Sequence, residues 1–232
     1  MKAMKRTATD WLCLFSAIAC LLFFVLHDTL GIYNYPGYEW ARQAVSNMTA
    51  TGSPSFTTST RFAAVFIAAA CVCAALVFLE SRGRGNRRLQ QGIALFSVTI
   101  CTMGVGYALF PLDQPGYGGE PGGSTNDIIH FFVVTGLVAL LGLAALSLIA
   151  LSGLRKNGVR WLSIVACVAT VGLLGALVGL VIWGVDVGLF GLFERIGIYG
   201  AVIFQAVLGL YVFFDKQPSH QGAKPLPEGV AA

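Results

Sequence analysis

Charged side chains are scarce in this sequence, and none lies in the middle of its long apolar segments. Asp, Glu, Lys and Arg make up 11% of the residues and hydrophobic residues 56%, whereas soluble domains average about 25% charged residues. This shortage excludes an ordinary soluble protein and predicts a chain that crosses a membrane several times. It also disfavours a transporter, because transport sites usually place ionisable groups near the bilayer centre.

The cysteines lack the pattern of a disulfide framework. All six lie inside apolar segments, at Cys13, Cys20, Cys71, Cys73, Cys101 and Cys167. A cysteine in such a segment behaves as a small hydrophobic residue, and the spacing of Cys71 and Cys73 is not that of a redox pair. The cysteines therefore indicate no redox function.

Six apolar segments are long enough to cross a bilayer as helices, since each crossing needs about 20 residues. They cover residues 11–27, 62–79, 92–110, 127–151, 161–183 and 196–214. Together they leave no room for a soluble domain. We predict an all-α, polytopic membrane protein that forms one six-helix bundle over residues 1–214. A polar tail at residues 215–232 is expected to be disordered and cytoplasmic.

Positive charges are concentrated in alternate loops. They precede the first segment, join the second to the third and the fourth to the fifth, and follow the sixth. Because loops rich in Lys and Arg stay on the cytoplasmic side, we predict a multi-pass plasma-membrane protein with both termini in the cytoplasm. The same distribution accounts for the net charge of +4 without binding of nucleic acid.

The first loop on the opposite, outer side is the most distinctive polar stretch of the chain. Its four aromatic residues favour the membrane–water interface; they are Tyr33, Tyr35, Tyr38 and Trp40. From Tyr38 to Thr49 apolar residues recur every three or four positions. This pattern predicts a short helix on the membrane surface or in the mouth of the bundle, and Gly52 ends it.

Ionisable residues collect at the outer ends of the predicted helices. The candidates for catalytic acid/base chemistry are His27, Asp28, Asp127, His130 and Glu194. Asp127 and His130 are expected to share one helix face because they are three residues apart. Partial burial at one membrane depth would shift the pKa values of such groups toward acid/base use. Further residues expected in the same outer polar pocket are Tyr35, Tyr38, Ser46, Asp113 and Arg195.

Structural roles for these residues remain open alternatives. Asn126 or Asp127 can cap the fourth helix, and Glu194 with Arg195 can form a charged interfacial pair. The two histidines can serve only to make hydrogen bonds inside the bundle.

Metal binding is another alternative for the outer residues. His27 and His130, together with Asp28 or Asp127, contain suitable ligand atoms, and haem between the two imidazoles is a further option. No HxxxH or HExxH motif supports a metal site. The sequence therefore specifies no cofactor.

Several short motifs occur along the chain in a characteristic order. They are Leu26-His27-Asp28, Tyr35-Pro36-Gly37-Tyr38, Ser46-Asn47, Ala50-Thr51-Gly52-Ser53-Pro54, Phe110-Pro111-Leu112-Asp113 and Phe193-Glu194-Arg195-Ile196. With these motifs, and with His130 opening the fourth segment, nearly the whole chain resembles the bacterial domain-of-unknown-function 998 family of integral membrane proteins. The resemblance implies six membrane helices and no particular activity.

Three functions are compatible with these features. The first is an enzyme that acts on a lipid or isoprenoid-like substrate at the outer leaflet, where the polar pocket is expected. The second is a non-catalytic membrane scaffold or assembly factor that uses the outer loops to contact a partner. A small-molecule transporter is the third and least favoured. Membrane lipids are the expected partners in each case, and the sequence does not specify an oligomeric state.

Overall fold

A computed structural model describes residues 6–113, 124–155, 158–184 and 187–215. Within these ranges six helices are long and apolar enough to cross a membrane: Ala8–Tyr33, Phe56–Ser81, Arg87–Leu109, Thr125–Ser152, Arg160–Trp183 and Phe190–Phe214. This confirms the predicted all-α, six-helix membrane fold. The predicted disordered tail, apart from Asp215, and most of the Gly-rich loop before Ser124 lie outside the described residues.

The helices extend beyond the apolar segments found in the sequence. The first continues past His27 to Tyr33, and the sixth begins at Phe190 rather than at Ile196. Polar residues can prolong a helix at its ends, where their side chains reach water or one another, so hydropathy alone underestimates helix length. As a result, Asp28, Glu194 and Arg195 lie within helices rather than in the loops.

The six helices pack in chain order around a ring. Each helix contacts the next one along the chain, the sixth closes the ring against the first, and the second also reaches the sixth. Many large apolar side chains point away from this ring and are exposed, including those of Leu109, Leu140, Ile164, Val168 and Val181. A protein in water seldom exposes so much contiguous apolar surface. The exterior of the ring is therefore suited to contact with lipid.

Ser124 sets the beginning of the fourth helix. Its hydroxyl accepts a hydrogen bond from the backbone N–H of Asp127 at 3.1 Å, which satisfies a donor that the first turn leaves unpaired. The expectation that Asn126 or Asp127 would cap this helix is therefore wrong.

The loop between the first and second helices is folded into one end of the bundle. Its helical part is a 3₁₀-helix at Val45–Thr49, shorter than the predicted helix that started at Tyr38. Ala44, Val45 and Met48 are buried, so the short helix lies in the mouth of the bundle. We call this end, where the fourth helix begins, the His130 end.

At the opposite end, which we call the Arg84 end, the loop between the second and third helices contacts the end of the sixth helix. The Arg84 guanidinium donates hydrogen bonds to the carbonyls of Val212 at 3.1 Å and Asp215 at 2.7 Å. It also pairs with Glu80 at 3.5 Å. Arg84 thereby satisfies carbonyls at the C-terminus of the sixth helix.

Candidate functional site

A buried ion pair connects the first and sixth helices at the His130 end. The Arg195 guanidinium donates to Asp28 Oδ1 at 2.9 Å, and Tyr199 donates its hydroxyl proton to Asp28 Oδ2 at 3.1 Å. The side chains of Arg195 and Asp28 are only 7% and 8% exposed. Asp28, a predicted catalytic residue, is therefore placed in a fully bonded structural pair.

The remaining donors of Arg195 hold the first loop. Two of them bond to backbone carbonyls of the loop, at Trp40 (2.6 Å) and Gln43 (3.1 Å), and a third bond goes to the Gly191 carbonyl, one turn back on the sixth helix, at 3.2 Å. Ala41 adds a backbone bond, since its carbonyl accepts from the Leu192 N–H at 2.9 Å. The guanidinium thus fixes the loop on the end of the sixth helix through two loop carbonyls.

Tyr38 completes this contact between loop and helix. Its hydroxyl accepts from Arg195 at 2.8 Å and shares its own proton between the carbonyls of Gln43 at 3.0 Å and Ala44 at 2.7 Å. Burial raises the pKa of the Tyr38 phenol above its ordinary value, although the Arg195 charge opposes this. The phenol therefore stays protonated and acts as a donor. Tyr35 packs edge-on against the Tyr38 ring at 5.2 Å between centroids.

A large cavity of about 410 Å³ lies beside this pair, between the helix ends. Most of its lining is apolar, and its ionisable or hydroxyl-bearing members include His27, Ser46, His130 and Glu194. Four lining residues on the second and third helices are themselves exposed: Phe56, Thr60, Ala64 and Ala108. The cavity therefore opens between those two helices, on the surface suited to lipid.

His130 lines this cavity, and one hydrogen bond defines the tautomer of its ring. Its Nδ1 lies 2.7 Å from the Phe110 carbonyl, which can only accept, so Nδ1 carries the proton. In the neutral ring Nε2 is then an acceptor. The ring also stacks on Tyr107 at 4.7 Å between centroids, so its orientation is fixed from two sides.

An unusual backbone turn surrounds His130. The fourth helix is π-helical at Ile129–Thr135, and the Thr135 hydroxyl donates to the His130 carbonyl at 2.9 Å. A π-helical insertion rotates the residues that follow it and often occurs at functional sites. Here it places His130 on the cavity while Thr135 bonds to the Tyr107 hydroxyl at 3.1 Å.

His27 and Ser46 line the cavity with polar atoms that remain unpaired. Among the described residues, neither His27 Nδ1 nor Ser46 Oγ has a hydrogen-bond partner, although both atoms are buried. A buried polar atom without a partner is costly. The hydrogen-bonding capacity of both atoms is therefore unused, and within the described part of the chain Ser46 has no base bonded to it that would make it a nucleophile.

Glu194 is anchored by one carboxylate oxygen. Its Oε2 accepts from the backbone N–H of Val45 at 2.5 Å, which ties the 3₁₀-helix to the sixth helix. The residue also lines the large cavity. Three of the five predicted acid/base residues thus surround one cavity: His27, His130 and Glu194.

Asp127 and Asp113 lie apart from the large cavity. Asp127 is buried and its Oδ1 accepts from the Asp113 N–H at 3.0 Å. Hydrogen bonds from Ser124 and Asn126 hold the pKa of the Asp113 carboxyl below its usual range. Together these contacts fasten the start of the fourth helix to the end of the third. Asp127 and His130 are close in sequence, yet only His130 reaches the cavity.

The residues named for the alternative of metal binding do not form a ligand set in the described part of the chain. The described residues contain no group of three or more His, Cys, Asp and Glu residues placed to hold a metal ion. Asp28 is bonded to Arg195 and Tyr199, and Asp127 to the loop at Asp113. Neither carboxylate completes a ligand set with the two histidines.

Sequence reasoning missed two tyrosines of this region. Tyr199 lies one helical turn after Arg195, and this i, i+4 spacing was a readable signal that both could reach the same partner. Tyr107 supports the His130 ring from the third helix. No local pattern around Tyr107 marks that role.

Comparison with known proteins identifies the family of this chain but no individual relative. No curated protein and no solved structure matches the chain. The profile of a family described as "Protein of unknown function (DUF998)" matches residues 17–211, a range that includes parts of all six helices and every residue of the large cavity discussed above. The chain therefore belongs to the DUF998 family of membrane proteins.

Proposed function

We propose that the protein is a membrane enzyme that takes a lipid-like molecule from the bilayer into the large cavity and acts on its polar head by proton transfer. The observation that carries this proposal is the convergence of His27, Ser46, His130 and Glu194 in an apolar cavity of about 410 Å³. Ligand sites commonly combine an apolar lining with a few polar groups that orient the ligand. The opening between the second and third helices admits a molecule directly from the lipid.

The polar groups favour an uncharged head. Among the residues that the structure describes, the cavity lining contains the carboxylate of Glu194 and two imidazoles but no Lys or Arg. The nearby Arg195 is occupied by Asp28 and backbone carbonyls. A phosphate would find no permanent cation there. A hydroxyl or a primary amide, in contrast, can donate to the acceptors Glu194 and His130 Nε2 and can accept from the Ser46 hydroxyl.

His130 is the proposed catalytic base. Because the Phe110 carbonyl holds the Nδ1 proton, Nε2 is free to accept a proton from a ligand hydroxyl or from water. Glu194 keeps one carboxylate oxygen for the ligand after its bond to Val45. His27 and Ser46 supply further hydrogen-bonding atoms for orientation.

The proposed orientation places the His130 end at the outer leaflet. Four arginines lie near the Arg84 end: Arg82, Arg84, Arg87 and Arg88. Basic loops of this kind remain cytoplasmic, so the opposite end faces outward. Labelling of an engineered cysteine at the exposed Thr51 by an impermeant maleimide in intact cells would test this; labelling only after lysis would contradict it.

Replacing His130 by glutamine is expected to weaken binding of 1-monooleoylglycerol at least about tenfold and to abolish any hydrolysis of its ester. Glutamine retains a donor for Phe110 but loses the basic nitrogen. Binding is measured by native mass spectrometry of detergent-solubilised protein, and hydrolysis by release of oleate. A tenfold loss corresponds to about 1.4 kcal/mol, within the range of one hydrogen bond at a desolvated site.

Ser97→Ala is the matched control for this variant. Like His130, Ser97 is a buried polar residue whose side chain bonds to one backbone carbonyl, that of Ala74 at 3.0 Å, but Ser97 does not line the cavity. The control should leave binding unchanged. If His130→Gln binds and hydrolyses like the wild type and only lowers the amount of folded protein, the residue is structural and the scaffold alternative is supported.

A further inference from the structure

A second, narrow cavity of about 90 Å³ lies between the third, fourth, fifth and sixth helices. It shares four wall residues with the large cavity: Met103, Tyr107, Glu194 and Ile198. These shared side chains lie between the two spaces, and methionine is flexible enough to give way to a ligand. The narrow cavity is therefore a direct continuation of the proposed head-group site.

The narrow cavity runs down toward the middle of the membrane. On the third helix its lining extends from Tyr107 to Phe96, and on the fourth from Thr135 to Leu146. Each interval corresponds to about 16 Å along a helix, which is roughly half the thickness of the hydrocarbon core. The cavity thus covers the depth occupied by the chains of one leaflet.

Small residues keep this space open. Gly142, Gly197 and Gly200 all line it. A Cβ added at Gly200 would meet no atom within 4 Å, and at Gly197 only ordinary contacts with Leu173 at 3.6 Å and Ala176 at 3.8 Å. Side chains could therefore occupy these positions without a clash. Because glycine has no side chain, the narrow cavity beside these residues stays empty and can hold a ligand.

We propose that the narrow cavity holds the linear acyl chain of the ligand whose head lies in the large cavity. This inference rests on the proposed function and narrows its substrate class. The narrow cavity begins beside the polar groups of the large cavity and runs along the helices, as a lipid chain does. Its lining is dominated by apolar and small residues. Because its volume of about 90 Å³ is spread over about 16 Å of helix length, the narrow cavity has a small cross-section, which suits an unbranched chain better than the methyl-branched chain of an isoprenoid.

The proposal predicts that affinity rises with the length of the acyl chain. Each methylene that leaves water adds to affinity, so wild-type protein should bind 1-monooleoylglycerol at least about tenfold more tightly than 1-monooctanoylglycerol. It should also prefer the oleoyl compound to farnesol. Binding of all three is measured by native mass spectrometry in the same detergent.

Gly200→Leu places a side chain in the narrow cavity and should remove most of the preference for the oleoyl over the octanoyl compound. The oleoyl compound is expected to lose about tenfold in affinity, while the octanoyl compound binds as before. Gly197→Val provides a second variant in case the first does not fold. Gly175→Leu is the control, because Gly175 also has no atom within 4 Å of an added Cβ but lines neither cavity.

The outcomes separate the two proposals. Equal binding of the oleoyl compound to wild type, Gly200→Leu and Gly197→Val would overturn the acyl-chain assignment, as would tighter binding of farnesol than of the oleoyl compound. The proposed function would still stand if His130→Gln weakened every ligand equally. If no ligand bound to the wild type, both proposals would fail.

Discussion

Replacing Arg195 by methionine is expected to lower the free energy of unfolding by about 3–5 kcal/mol, because it leaves the buried Asp28 carboxylate without its counter-charge. The substitution also removes the donors for three backbone carbonyls, at Trp40, Gln43 and Gly191. Unfolding by SDS in mixed micelles measures the change. Proteolysis within the first loop should become faster, since the guanidinium fastens that loop to the sixth helix.

Two further variants isolate the cause. Arg42→Met breaks an exposed pair with Glu39, whose side chains are 56% and 51% exposed, and should cost less than about 1 kcal/mol. In the double variant Asp28→Asn, Arg195→Met no charge is left unpaired, so the loss should be smaller than the sum of the two single losses. Equal effects of Arg195→Met and Arg42→Met would show that the buried pair does not stabilise the fold.

Gly191→Ala is expected to destabilise the protein by about 3 kcal/mol or more, at the upper end of overpacking effects. An added Cβ would collide with the Gln43 carbonyl oxygen and would lie 2.5 Å from that of Trp40. Both are backbone atoms of the same loop, so no side-chain rotation relieves the contact. The loop must move away and lose its bonds to Arg195.

Gly172→Ala is the matched control for this prediction. An added Cβ there meets nothing within 4 Å, and alanine favours a helix over glycine by about 1 kcal/mol. The control should therefore be neutral or slightly stabilising in the same unfolding measurement. A Gly191→Ala protein as stable as the wild type would mean that the loop does not pack against the sixth helix as described.

Parts of the site could be anticipated from local patterns. The sequence placed His27, His130 and Glu194 at one end of the bundle because each lies where an apolar segment meets a polar one. Arg195 and Tyr199 show the spacing of residues on one helix face. Such patterns indicate the depth of a residue in the membrane and which residues of the same helix lie beside it.

The direction of each side chain could not be anticipated. His27 and Asp28 are adjacent, but successive residues of a helix point about 100° apart. His27 therefore faces the cavity, whereas Asp28 faces the sixth helix. Which of them meets a ligand depends on how the first helix is rotated against its neighbours. The π-helical turn at Ile129–Thr135 changes that rotation again for the fourth helix.

The sequence by itself determined that six helices fill a membrane, because the hydrocarbon core admits only long apolar segments whose backbone groups bond internally. The tertiary structure alone decided which polar residues share the cavity and which stabilise the loop. Those contacts join residues far apart in the chain, such as Asp28 with Arg195 and Val45 with Glu194. They depend on packing between helices, which hydropathy does not encode.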